Sequence, residues 1–141
     1  MIIVVDTNIV FSAILDPQSN FAETLLKPKS KNRFYSTTSL ILEIDRHKAK
    51  IKKLAGYSEE EFQFLYRQIT SKIKFYNPNL IPSEILSYAH NLCHDIDLED
   101  TEFVALTEHI RGNLWSGDKK LKKGLANKGW SKFVSLKELL P

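Results

Sequence analysis

Asp6 follows directly on the apolar run Ile2-Ile3-Val4-Val5, and Asp118 follows Leu114-Trp115-Ser116 by two residues. If both runs are parallel strands of one sheet, both carboxylates stand at its carboxyl edge, where α/β folds place their ligands. Taken singly, each also fits the ordinary role of an Asp before a helix, the N-cap. Glu43 lies on the flank of an apolar helical stripe formed by Leu40, Ile44, Ile51 and Leu54, four residues before His47. A carboxylate turned toward a core costs several kcal/mol unless a Lys or Arg pairs with it or a cation binds it. Asp97 and Asp100 are three apart, and Asp100 precedes Phe103 by three. Both therefore sit above a buried stripe at a helix start, a place the helix dipole also favours for acids. Converging beside a phosphodiester, such acids would hold Mg²⁺ or Mn²⁺, hard ions that prefer oxygen ligands. One or two ions held there would activate water for attack on phosphorus.

The elements that must position these acids are legible in the pattern. Ile2 to Val5 is a continuous β-branched run, expected for a strand buried on both faces. A helical pattern begins at Thr7, stops at Asp16-Pro17 and resumes after Ser19 or Asn20. Phe34-Tyr35 centres a second strand, and Thr37, Thr38 or Ser39 caps a long helix that Gly56 ends. Ser58 with Glu61 is a capping box opening a helix through Phe62, Leu65 and Ile69. Ile73 to Tyr76 reads as a short strand, and helices follow through Leu86 to Leu92 and through Phe103 to Ile110. Leu114 to Ser116 is a strand, Asp118 caps a lysine-rich helix, Phe133-Val134 forms a last strand, and Ser135 caps a terminal turn. Strands alternating with helices indicate an α/β protein with a mostly parallel sheet, and no linker or repeat divides residues 1–141 into more than one domain.

Composition narrows the function classes. With 43% hydrophobic and 26% charged residues the chain can bury a sizeable core, which sets aside disorder and low-complexity classes. No apolar run approaches the ~20 residues of a membrane span, and Asp6 interrupts the opening run too soon for a secretory segment, so a cytoplasmic protein without a membrane partner is expected. The lone Cys93 can form neither an internal disulfide nor a cysteine-rich zinc site. His90 and His94 have helical spacing, but no third soft ligand is placed beside them. Glycine-rich dinucleotide, P-loop and serine-hydrolase motifs are absent from the sequence. The net charge of +3 divides unevenly: residues 27–53 and 111–137 each carry +7, while 84–108 hold seven acids and neither Lys nor Arg. Cationic surface on either side of an acidic segment suits a polyanionic substrate as well as ordinary solvated helix faces.

Val4-Val5-Asp6-Thr7-Asn8, the mid-chain Glu43, Asp97-Leu98-Glu99-Asp100-Thr101-Glu102-Phe103 and Leu114-Trp115-Ser116-Gly117-Asp118-Lys119 follow one another in an order that resembles the PIN domain. This is the PilT N-terminus ribonuclease family, which includes VapC-type toxins, and the resemblance spans nearly the whole chain. Trp115 departs from it, being bulkier than the residue usual before the Ser. The resemblance implies a three-layer α/β/α fold and metal-dependent endoribonuclease activity leaving 5′-phosphate and 3′-hydroxyl ends. By position, Asp6, Glu43, Asp100 and Asp118 correspond to the catalytic acids. Asp97 joins Asp6, Asp100 and Asp118 as a ligand for Mg²⁺ or Mn²⁺, and Asn8 and Ser116 support the site. Arg46, Lys48, Lys50, Lys119, Lys120, Lys122 and Lys123 are the candidate contacts to RNA phosphates. The implied partners are an RNA substrate and, for a toxin, an antitoxin protein or a second copy of the chain. Three other readings stand beside this one: a structure-specific DNA nuclease, a catalytically silent PIN fold that binds nucleic acid, and a receiver-like phosphoacceptor. The last normally needs an acidic pair after its first strand, where this chain has Asp6 alone.

Overall fold

The structure is a computed structural model that describes residues 1–140. Its centre is a four-stranded, all-parallel sheet in the order β3-β2-β1-β4, formed by β1 (Ile2–Val5), β2 (Arg33–Thr37), β3 (Ile73–Tyr76) and β4 (Asn113–Trp115). Ile3, Val4 and Val5 are completely buried, which is why β1 reads as an unbroken apolar run: helices cover both of its faces. On one side α1 (Thr7–Leu15), α2 (Asn20–Leu26), α3 (Thr38–Ala55) and α4 (Glu59–Thr70) pack on one another. Across the sheet α6 (Thr101–Ile110) lies on β1, β2 and β4, and α5 (Ser83–Cys93) packs against α6 and α7 (Lys119–Asn127). A final turn, α8 (Leu136–Leu139), closes against α2. The expected three-layer α/β/α arrangement is thus present, with every strand parallel.

Local rules account for most of the boundaries. Ser58 and Glu61 form the reciprocal capping box that opens α4, and Ser135 and Glu138 form another that opens α8. Gly56, at φ 72°, supplies the left-handed residue that ends α3. Three expectations need correction. Leu54 is 63% exposed, because α3 has by then run past the core that Leu40, Ile44 and Ile51 fill. Thr37 precedes α3 without making a side-chain capping bond, and the hydroxyl of Ser39 turns instead to Glu102 on α6. Phe133-Val134 is a single parallel bridge to Leu114 rather than a strand, since the capping box at Ser135 starts α8 immediately afterwards.

The topology also fixes where a site can form. From β1 the chain crosses to β2 on one side, and only later is β4 laid on the other. The carboxyl ends of β1 and β4 therefore flank the switch point, where an open parallel sheet leaves a crevice. Trp115 does not crowd it. The ring is 1% exposed and packs against Phe21 and Phe34 at centroid distances of 6.2 and 6.0 Å, so the bulk that departs from the family pattern goes into the core.

The approach of β4 to β1 begins at Gly112, where an added Cβ would lie 2.8 Å from the Ile2 carbonyl oxygen and 2.9 Å from its Cγ2. Gly117, just beyond β4, would place a Cβ 3.7 Å from Asn8, an ordinary contact. Gly112→Ala should cost about 1–3 kcal/mol through forced backbone displacement, and Gly117→Ala should be close to neutral. Denaturant midpoints of the two variants against the parent protein check this.

Candidate metal centre

The register between β1 and β4 builds the first part of the site. Val5 is opposite Trp115, so Asp6 emerges beside Ser116, and the Asp6 backbone N–H donates to the Trp115 carbonyl at 3.1 Å. The Ser116 hydroxyl then donates to Asp6 Oδ2 at 2.6 Å, while Asp6 Oδ1 accepts from the Asn8 backbone N–H at 3.4 Å. Ser116 Oγ in turn accepts from the backbone N–H of Asp118 at 3.1 Å, and Asn8 Oδ1 accepts from that of Gly117 at 3.3 Å. Asn8 and Ser116 thus link the two strand ends, each contacting the opposite segment.

Asp118 caps α7 by accepting from the Leu121 N–H at 3.1 Å through one oxygen. Capping and convergence are compatible, because a carboxylate has a second oxygen to offer. Asp97 likewise caps a single 3₁₀ turn, Leu98–Asp100, by accepting from the Glu99 N–H at 3.1 Å. The sequence pattern does not mark that turn as a separate element, yet it delivers Asp100 to the mouth of the crevice at the start of α6. Asp97, Asp100 and Asp118 each present a ligand oxygen within 4.8 Å of the others. Asp6 and Glu43 line the same cavity, of about 250 Å³, together with these three.

Burial and mutual repulsion dominate the electrostatics. Asp6 is 4% exposed, and burial raises its carboxyl above the usual range, aided by the charge of Asp118 and opposed by the Ser116 hydrogen bond. Asp100 is pushed up to about 8, first by burial and then by the charges of Asp6, Asp97 and Asp118. Burial also raises Glu43, with Asp6 and Glu99 adding to the effect and the nearby Thr7 hydroxyl and Arg46 opposing it. None of these acids takes part in an ion pair among the described residues. A set of crowded carboxylates without an ion pair fits a hard divalent cation.

Thr7, His47 and Glu99 also line the cavity, beyond the residues that the sequence singles out. The Thr7 hydroxyl is buried and completes no hydrogen bond within the protein, although it faces Glu43. Its place between Asp6 and Asn8 is a usable signal, as is the spacing of His47 from Glu43 along α3. Among the expected RNA contacts, Lys50 lines the acid cavity and Arg46 a neighbouring groove, while Lys119, Lys120 and Lys123 are exposed and Lys122 is half-buried. Lys48 is directed elsewhere, pairing with Glu59 and lying 5.8 Å from the centre of the Phe62 ring. His90 on α5 stacks on His94 just after it, both exposed, with no third ligand gathered among the described residues.

The raised Asp100 carboxyl has a sign that can be tested. The metal-free folded protein keeps this proton up to about pH 8, whereas the unfolded chain releases it near the ordinary value of 3.8. Between those limits the folded state binds more protons, so its stability falls as pH rises. In EDTA, melting temperatures should drop between pH 5.5 and pH 8, and Asp100→Asn, which loses no side-chain capping bond, should show a smaller drop. An equal drop in both proteins would contradict the shift.

Comparison with known proteins agrees with this geometry. A family model described as the PIN domain matches residues 4–136. The solved structure of VapBC2 from Rickettsia felis bound to a DNA fragment from their promoter superposes with a TM-score of 0.64 at 16% identity, covering 96% of this chain and 98% of that one. At that identity the likeness is one of fold. No curated protein matches the chain. With its acids gathered at the switch point of a parallel sheet and the family model matched over nearly its full length, the chain belongs to the PIN domain family, whose members are nucleases.

Proposed function

We propose that the protein is a metal-dependent endoribonuclease. The observation that carries this reading is the approach of Asp97, Asp100 and Asp118 to within 4.8 Å beside Asp6 and Glu43, with none of the five in an ion pair among the described residues. Asp6, Asp97, Asp100 and Asp118 would hold Mg²⁺ or Mn²⁺, with Glu43 as the further catalytic acid and Asn8 and Ser116 as positioning residues. When bound, such a cation supplies charge neutralisation on phosphate oxygens and lowers the pKa of water for attack at phosphorus. The chain's own part is orientation. The Ser116 hydroxyl fixes one Asp6 oxygen, and the Leu121 N–H fixes one oxygen of Asp118. Glu43, whose carboxyl burial raises above the usual range, is a stronger base for it and suited to accept a proton. The lysines of α7 begin one residue after Asp118, a position suited to hold the flanking phosphates.

A toxin role with an antitoxin partner is a second element of the proposal. It draws on the fold likeness to a toxin-antitoxin complex and on an apolar groove of about 270 Å³ between α3 and α4, where Ile41 and Leu42 are 37% and 63% exposed. The DNA-nuclease alternative is separated from the RNase by competition between RNA and DNA oligonucleotides in the same assay.

Purified protein should cleave single-stranded RNA with Mn²⁺ or Mg²⁺ and stop in EDTA, and cleavage that persists in excess chelator would refute the proposal. Asn is about as good an N-cap as Asp, so Asp118→Asn should melt in EDTA at the parent temperature or above, with one repelling charge removed. Saturating Mn²⁺ at a hundredfold excess over Kd should stabilise the parent by about 2.7 kcal/mol and the variant much less. Equal metal shifts would remove Asp118 as a ligand. Neutralising Lys119, Lys120, Lys122 and Lys123 should flatten the salt dependence of RNA binding, by about 0.7 in log–log slope for each phosphate no longer neutralised. An unchanged slope would assign these lysines to solvent.

A further inference from the structure

Beside the acid cavity lies a larger groove, of about 630 Å³, within the ~300–1,000 Å³ usual for small-molecule sites. Glu43 and Glu99 line both spaces, so the groove opens directly from the proposed site of cleavage. Its walls are one face of α3, carrying Ser39, Glu43 and Arg46 at helical spacing, and one face of α5, carrying Leu86 and His90. The start of α6 contributes Glu102 to the lining. Apart from Glu43, the chemistry proposed for the acid cavity uses none of the residues that line this groove.

The lining selects what the groove can receive. Glu43, Glu99 and Glu102 set three carboxylates against one guanidinium, Arg46, and none of the four belongs to an ion pair among the described residues. A phosphate would be repelled. A nucleobase would not, provided that it presents N–H donors to the carboxylates. The Ser39 hydroxyl donates to Glu102 Oε2, which fixes that carboxylate, and Oε1 takes no other hydrogen bond among the described residues. The His90 ring, held parallel to His94 within 14°, offers an aromatic surface of the kind on which unpaired RNA bases stack. Of the four bases, guanine alone presents two adjacent donors, N1–H and the 2-amino group, to one carboxylate. Its O6 and N7 are also the usual acceptors for an Arg. Cytosine and adenine place an acceptor beside their amino group, and uracil flanks its single N–H with carbonyls.

We propose that the groove between α3 and α5 binds one unpaired guanine next to the phosphodiester that is cleaved, with Glu102 reading N1–H and the 2-amino group and Arg46 reading O6 and N7. This rests on the nuclease reading for the cleavage it directs, but not for the binding itself. Glu102 and Arg46 are specificity-determining residues and leave the chemistry to the acids.

The test uses oligouridine RNAs carrying one guanosine, one inosine or one adenosine. Inosine keeps O6, N7 and N1–H and lacks only the 2-amino group. The parent protein with Mn²⁺ should cut beside guanosine at least about fivefold faster than beside inosine, and adenosine should be poorer still. Glu102→Gln should bring the guanosine-to-inosine ratio close to one. Arg46→Met, at an exposed position, should weaken both substrates together and preserve their ratio. The inosine comparison needs no variant, so a folding defect in Glu102→Gln leaves the test intact. Fluorescence anisotropy of the same RNAs in EDTA gives a readout independent of cleavage, with the same order of affinities expected. Metal-dependent cleavage that ignores the base, with equal anisotropy affinities, would overturn the guanine site and leave the nuclease reading standing. Guanosine-selective binding without cleavage under any metal would uphold the groove and sink the nuclease reading. Neither cleavage nor selectivity would overturn both.

Discussion

The pairing of β1 with β4 is the constraint on which the rest of the site depends. Opposing Val5 to Trp115 places Asp6 beside Ser116, and the Ser116 hydroxyl then serves both segments: it donates to Asp6 and accepts from the Asp118 N–H. A slip of one residue would carry Ser116 to the other face of the sheet and bring the Trp115 ring into the crevice. The buried stacking of Trp115 between Phe21 and Phe34 opposes that slip, so the residue that looks out of place in the family pattern helps to hold the register.

Around this pairing the protein concentrates negative charge that no ion pair among the described residues offsets. The ion pairs among the described residues lie elsewhere: Lys48 and Lys52 meet Glu59, Lys128 meets Asp95 and Lys132 meets Glu108. What remains at the crevice is a set of acids raised by burial and by one another, with Asp100 the most strongly perturbed. Such perturbation marks functional sites more often than structural ones, because a purely structural cluster would gain stability by losing a charge. Capping does not compete with ligation here. Asp97 and Asp118 each satisfy a helix or turn start with one oxygen and stay available with the other, so the same residue type serves folding and chemistry.

How much of this is legible in the sequence follows from what each signal measures. The strand Ile2–Val5, the capping box at Ser58, the cap at Ser135 and the helix stop at Gly56 are set by local chemistry, and they stand where the sequence places them. Asp6 and Asp118 can be assigned to one sheet edge from strand ends alone. Glu43 is visible as an acid on the flank of an apolar stripe. Other features depend on contacts between distant segments. The destination of Lys48 is set by the packing of α4 on α3, and no local pattern reports that Glu59 lies within its reach. Leu54 continues the helical period but outruns the core. The groove beside the site is formed by faces of α3, α5 and α6 far apart in sequence, so Glu102 reads as an ordinary helix-surface charge, and Arg46 as a phosphate contact, until the chain is folded.

The central claim is that the acids at the β1/β4 switch point form a single cation site. A crystal structure of the protein soaked in Mn²⁺, with anomalous data locating the ion, tests it most directly. The expected result is an anomalous peak in the cavity, ligated by oxygens of Asp100 and Asp118 with Asp6 and Asp97 completing the protein's share, and several waters in the remaining positions. An empty cavity at saturating Mn²⁺, or an ion bound elsewhere while these carboxylates stay more than about 8 Å apart, would contradict it, since oxygens reach such an ion only at about 2.1 Å.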